Sequence, residues 1–217
     1  MNDADLSTPD SPDAPGAEPA PPAARKRPKP GERRVQILQA LATMLEQPGA
    51  ERITTAALAA RLEVSEAALY RHFASKAQMF EGLIEFIEQT VFTLVNQITE
   101  RDAEGGAQAG RIVAMLVQFA EKNPGMTRVM VGDALVYENE RLQQRMNQFF
   151  DKIEASLRQC LRSPGEAEAA SPAPTVEAQV RASMLTAFVV GRLQRFARSG
   201  FKRQPSEHLE ASLSRML

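Results

Sequence analysis

Three features of the 217-residue sequence predict an all-α protein of about nine helices: apolar residues recurring at three-and-four spacing, no segment with the alternation of a strand, and two short alanine-rich helices set close together near the amino terminus. A chain of this length can bury a sizeable core in one large domain or in a small and a medium one. Residues 1–30 hold eight of the fourteen prolines, no aromatic residue and little apolar besides alanine, which predicts a disordered tail. From Arg33 to Glu46, Val35, Ile37, Leu38, Leu41, Met44 and Leu45 recur at helical spacing until Pro48-Gly49 breaks the pattern. Thr54 or Thr55 caps a short helix through Arg61, and Ser65 caps another that ends near His72. Ser75 and Gln78 read as a capping box for a long helix from Lys76 to about Glu100.

A polar, glycine-bearing loop is expected at 102–110. Helical patterns then cover 112–122, 127–135 and 138–162, with Asn123-Pro124-Gly125 as a helix stop. Pro164, Gly165, Pro172 and Pro174 mark a flexible loop at 163–174. Thr175 starts an eighth helix to Phe196, and Pro205-Ser206 introduces a ninth containing Leu209, Leu213 and Leu217. The chain thus divides into a tail at 1–30, a small helical unit at 31–80 and a larger helical body at 81–217.

The formal net charge of -1 by itself argues against a nucleic-acid binder, yet the charges are unevenly placed along the chain. Residues 1–24 hold five acids and no base, residues 25–80 hold ten Lys or Arg against five Asp or Glu, and the remainder is nearly balanced. Arg25, Lys26, Arg27, Lys29, Arg33 and Arg34 concentrate cations where the tail meets the first helix; such a run suits a solvated surface as well as phosphates, and its position beside the two short helices favours phosphates. No run of about 18 apolar residues and no basic-then-apolar leader is present, so neither a membrane span nor a secretory signal is expected, and a cytoplasmic location is. The single cysteine, Cys160, forms no internal disulfide, and His72 and His208 lie far apart. No zinc-ligand spacing, nucleophile-base pair or glycine-rich phosphate loop is found; no catalytic residue, metal site or cofactor is assigned. Glu138 and Glu140 are expected on a solvated helix face.

Function concentrates in residues 53–76, ITTAALAARLEVSEAALYRHFASK. A helix-turn-helix needs small residues where its two helices approach, a tight turn, and a second helix whose first residues reach base edges in the major groove. Ala56, Ala57, Ala59, Ala60, Ala67 and Ala68 supply the small surface, and Leu58, Leu62, Val64 and Leu69 a core. Thr54, Thr55, Ser65, Tyr70, Arg71, His72 and Lys76 supply donors, with Ser65, Glu66 and Ala67 at the start of the recognition helix. The helix-turn-helix is placed at about 54–73.

This string resembles the signature of the TetR family, in which the recognition helix ends in a Tyr-x-His-Phe element and a Ser-Lys pair opens the next helix, here Tyr70, His72, Phe73, Ser75 and Lys76. The resemblance implies that Tyr70 and His72 hydrogen-bond phosphate oxygens, that Lys76 adds charge there, and that Phe73 locks the recognition helix onto the core. Ala74 stands where the family often has proline. The stretches EKNPGMTRVMVGDAL, RLQQRMNQFFDKIEASLRQ and FARSGFKRQPS extend the likeness to the nucleoid occlusion factors within that family.

That wider resemblance implies binding to palindromic double-stranded DNA as a homodimer, or several dimers to one site, and inhibition of FtsZ ring assembly at the nucleoid. It points to Phe86, Met115, Gln118, Lys122 and Asn123 as the FtsZ contact. Gln118 and Lys122 depart from the glycine and arginine of that group, and Phe86 and Met115 also fit the core stripes of their own helices. Pairing is expected through the last two helices, along Val180, Met184, Ala187, Phe188 and Gly191, with Leu185 beside them; the alternative is that this stripe closes the monomer core. The rival function is a transcriptional repressor released by a small apolar effector.

Overall fold

Four helices begin where the sequence supplies a side-chain acceptor for their first free N–H groups, and one begins at a proline that has none. In the computed structural model, which describes residues 31–47, 53–101, 105–162 and 176–217, nine α-helices account for most of the described chain and no strand occurs among those residues. The tail with Arg25 to Lys29, the Pro48-Gly49 break, Thr175 and the 163–174 loop lie outside them.

The amino-terminal unit is α1 (Glu32–Leu45), α2 (Thr55–Arg61) and α3 (Glu66–Tyr70). Thr54 Oγ1 accepts from the Ala57 N–H at 3.1 Å, and Ser65 Oγ accepts from Ala68 at 3.3 Å, so Thr54 is the cap. Ile37, Leu41, Leu58, Leu69 and Phe73 close the core of the unit. Burying Phe73 alone is worth about 1.5 to 3 kcal/mol, and it fixes the end of α3.

The long α4 (Lys76–Arg101) opens with the expected box: Ser75 Oγ accepts from Gln78 N–H at 3.2 Å, while Gln78 Oε1 accepts from Ala74 N–H at 2.8 Å. It leads into a body whose other long members are α5 (Gly105–Lys122), α7 (Glu140–Cys160) and α8 (Val176–Arg198). Ile87, Val91, Leu116, Phe149, Ile153, Leu185 and Val189 are buried between them. Leu185 is therefore core and belongs to no outer stripe.

Several boundaries differ from those expected. Helix α5 begins at Gly105, not after a loop at 102–110, because the glycine serves contact: a Cβ there would lie 1.8 Å from the Cys160 carbonyl oxygen. Asn123-Pro124-Gly125 starts a helix, α6 (Pro124–Met130), with Pro124 at a first-turn position where its missing N–H is no loss. Its Gly125 packs against the Ala42 carbonyl of α1. After α6, Gly132 at φ 83° turns the chain into a short 3-10 turn, Asp133–Leu135. Asn139 then accepts from the Arg141 N–H, so α7 starts two residues later than the pattern suggested. Helix α9 (Leu209–Met216) begins after Pro205-Ser206 because Arg192 Nη1 holds the Pro205 and Glu207 carbonyls, at 2.9 and 2.5 Å.

Helices α4 and α7 run in the same direction, joined by the ion pairs Glu81 with Arg141 and Glu88 with Arg145, and Lys76 pairs in register with Glu138 in the turn just before α7. The hydrogen bonds that the Arg145 guanidinium donates to Glu88, chiefly, raise its pKa above the ordinary value and favour the charged form.

Candidate nucleic-acid interface

The exposed face of α2 and α3 is built from their amino-terminal residues. Thr55 Oγ1 donates to Glu66 Oε2 at 2.6 Å, and the Tyr70 hydroxyl reaches Thr55 Oγ1 at 3.5 Å. One network therefore ties the start of α2 to both ends of α3. Thr54, Ser65, Glu66, Ala67, Tyr70 and Arg71 are exposed, and Thr55 and His72 half-buried. The two helix starts, with free N–H groups and hydroxyls, present donors suited to phosphate oxygens. The Glu66 carboxylate is an acceptor, the group needed to bind a cytosine amino group in the major groove.

The cations behave differently from one another. Arg34 turns inward: its guanidinium bonds the His72 carbonyl and lies 4.1 Å from the centre of the Phe73 ring. It braces the end of the recognition helix. Arg33 donates to Gln36 Oε1 at 2.9 Å within α1. Lys76 Nζ lies 2.5 Å from Glu138 Oε1, and the two side chains retain 27 and 11 % of their exposure. Glu138 is thus not on a solvated face, as its neighbourhood in sequence suggested. It is half-buried and paired across the two units, a role without a sequence signal because its partner lies on a distant helix.

On the body, α4 and α5 run antiparallel. A hollow of about 210 Å³ opens between them, lined by Leu94, Gln97, Ile98, Arg101, Arg111 and Met115. Of the residues implied for the FtsZ contact only Met115 lines this hollow. Phe86, Gln118 and Lys122 are exposed, Phe86 with 47 % of its surface open, which excludes a core role for it. Asn123 is half-buried, its amide donating to the Phe119 carbonyl at 2.7 Å.

On α8, Val176, Val180 and Met184 are exposed large apolar residues, Ala187 is exposed, and Phe188 and Gly191 are half-buried. A Cβ at Gly191 would meet nothing within 4 Å. The stripe does not close the monomer core.

Residues 37–83 match the family described as bacterial regulatory proteins, tetR family, and residues 107–216 match the SlmA-like family described as tetracyclin repressor-like, C-terminal domain. Nucleoid occlusion factor SlmA of Idiomarina loihiensis is 50 % identical over 179 residues, 82 % of this chain and 90 % of that protein. SlmA of Vibrio vulnificus is 51 % identical over 183 residues, 84 and 92 % of the two chains. Among solved structures, the transcriptional regulator FadR of Bacillus subtilis superposes with a TM-score of 0.65 at 12 % identity, over 84 % of this chain and 96 % of its own. A TetR-family regulator of Bordetella parapertussis gives 0.65 at 16 %, over 86 and 95 %. These two likenesses establish the fold. With half of its residues identical to the SlmA proteins over most of its length, and with both halves matched, the chain belongs to the SlmA-like group of the TetR family of DNA-binding regulators.

Proposed function

We propose that this protein is a nucleoid occlusion factor: a cytoplasmic, nucleoid-associated homodimer that binds palindromic DNA through α3 and, when bound, restrains FtsZ ring assembly. One observation carries the reading. The likeness to SlmA proteins runs through residues 107–216 and is not confined to the helix-turn-helix, which ordinary repressors of the fold also have.

Two copies are required because one recognition helix reads only a few base pairs, and two half-sites about 34 Å apart need a two-fold axis. The exposed Val180, Met184 and Ala187, with half-buried Phe188 and Gly191, supply a self-complementary face. Base reading falls to the first turn of α3, at Ser65, Glu66 and Ala67, while Thr54, Thr55, Tyr70, Arg71 and His72 hold phosphates. Arg33, Arg34 and Lys76 set the charge around them.

The FtsZ contact is assigned to the exposed α4–α5 face that carries Phe86, Met115, Gln118, Lys122 and Asn123. The exposure of both Phe86 on α4 and Lys122 on α5 supports it: an apolar anchor and a charge suit a partner segment that combines apolar and acidic residues. The test is co-sedimentation of the full-length protein with FtsZ polymers, with and without a duplex that the protein has selected from a random pool. DNA-stimulated association that is lost in Lys122→Glu is the expected result. Association that ignores DNA, or an apolar effector that releases the duplex with no FtsZ binding, would place the protein among the effector-responsive repressors instead.

A further inference from the structure

The carboxyl-terminal end of α8 carries a charge pattern that neither α3 nor the α4–α5 face uses. From Ala178 to Ser206 the cations are Arg181, Arg192, Arg195, Arg198, Lys202 and Arg203, and there is no acid, although the whole chain is close to neutral. Two of the six have structural partners. Arg181 pairs with Glu177 and donates to the Leu217 carbonyl. Arg192 holds the Pro205 and Glu207 carbonyls and Ser212 Oγ while lying 4.4 Å from the Phe188 ring centre. The other four are exposed and form no ion pair with an acid among the described residues; Glu207, which lines the same hollow as Arg195 and Arg203, is the one carboxylate at their edge, against four cations.

The loop bearing Lys202 and Arg203 is held in place. Ser199 Oγ donates to the Phe196 carbonyl at 2.8 Å and accepts from the Lys202 and Arg203 N–H groups at 3.2 and 2.9 Å. Phe201 packs edge-on against Phe196 and sits under the Arg128 guanidinium of α6, 5.3 Å from the ring centre.

Its position is equally defined. Helix α4 leaves the DNA-binding unit at Lys76 and α5 returns antiparallel, so the end of α5 is back at the level of that unit. The Ser206 N–H donates to Glu121 Oε1 there, at 2.9 Å, and α6 lies between this loop and α1. The cluster therefore sits at the end of the body nearest the helix-turn-helix. It also adjoins the outer stripe of α8: a hollow of about 480 Å³ is lined by Ala187, Phe188 and Gly191 together with Arg195, Arg203 and Glu207.

We infer that Arg195, Arg198, Lys202 and Arg203 form a second, sequence-independent DNA surface, which contacts phosphates of the duplex between the two half-sites. The inference rests on the pairing of α8 proposed above, since two copies joined along that stripe bring two such clusters together beside the two-fold axis. Guanidinium and ammonium groups on long stems neutralise phosphates without reading bases. An anionic lipid surface would attract the same charges. DNA is favoured because the cluster shares the end of the body with the recognition helix, where the duplex already lies.

The test compares the full-length protein with a variant carrying Arg195→Gln, Arg198→Gln, Lys202→Gln and Arg203→Gln. Affinity for a duplex of about 40 base pairs that the protein has selected from a random pool, long enough to span both half-sites, is measured against salt, and light scattering reports the oligomeric state. The log-log slope should become shallower by at least about 1.8, two phosphates at about 0.9 each. A set with Arg195→Lys, Arg198→Lys and Arg203→Lys, which keeps the charge, should keep the slope and so separates charge from folding. An unchanged slope in a dimeric quadruple variant overturns the inference, as does loss of binding to phosphatidylglycerol vesicles with the DNA slope intact. A monomeric wild-type protein would defeat the pairing separately, and an unchanged slope would still defeat this surface.

Discussion

Replacing Gly125 by alanine tests the joint between the DNA-binding unit and the body. In a solvent-facing helix the exchange stabilises by roughly 0.5 to 1 kcal/mol, since alanine has less backbone freedom to lose. At this position the added Cβ would lie 1.9 Å from the Ala42 carbonyl oxygen, 2.9 Å from its carbon and 3.2 Å from Leu45 Cβ. Two of these are backbone atoms of α1, which no rotamer change can remove, so α6 must retreat by more than ~1 Å to restore van der Waals separation. Overpacking of a buried contact costs about 1 to 3 kcal/mol. A rigid helix-on-helix contact belongs at the upper end, about 2 to 3 kcal/mol, and for a chain of this size the melting temperature should fall by roughly 4 to 12 °C. The measurement is a thermal melt at fixed protein concentration, because pairing makes the transition concentration-dependent. DNA affinity measured well below the transition should fall as well, since α1 braces α3 through Arg34 and the His72 carbonyl. A melting temperature equal to or above that of the wild type would refute the close α1–α6 approach.

Gly191→Ala is the counterpart. Its Cβ meets nothing in the single chain, so a monomer should gain about 0.5 to 1 kcal/mol, whereas a close α8–α8 interface should lose association; equilibrium sedimentation giving an unchanged or tighter dimer would remove Gly191 from that interface. Glu138→Gln frees Lys76 for phosphate and should raise DNA affinity about two- to fivefold per protomer, the range of a partly exposed ion pair; an unchanged affinity in a Lys76→Ala background and a raised one in the wild type completes the check. Cys160 is buried, and burial pushes its thiol pKa up; at pH 8 the folded protein should alkylate far more slowly than the denatured one, and equal rates would contradict the packing of the end of α7.

The helices were legible because their signals are local. Thr54, Ser65 and the Ser75–Gln78 box act within four residues of themselves, and each is found making the bond its position implied. The glycines misled for the opposite reason. Gly105 and Gly125 look like loop and stop signals, but both are there because another helix's backbone comes within reach of a Cβ, and that neighbour is distant in sequence. The site divides in the same way. The exposed hydroxyls of α2 and α3 follow from capping, whereas the inward turn of Arg34 onto Phe73 and the pairing of Lys76 with Glu138 depend on tertiary neighbours that no spacing reveals.

These tertiary pairs bear on how a DNA signal could reach the body. Lys76 is both the first residue of α4 and, of the three α4 residues paired with Glu138, Arg141 and Arg145, the one that also belongs to the candidate phosphate face. A phosphate that draws its charge leaves Glu138 half-buried with a weakened partner, while Glu81–Arg141 and Glu88–Arg145 continue to hold α7 in register. The expected change is therefore at the exposed Val136-Tyr137 corner that precedes Glu138. Tyr70 and Tyr137 are the only tyrosines and the chain has no tryptophan, so Tyr137→Trp reports on this corner alone when excited beyond the absorption of DNA. Its emission should shift on addition of a selected duplex and stay constant in Lys76→Ala; an identical shift in that variant would mean that DNA acts on the body by a route other than Lys76.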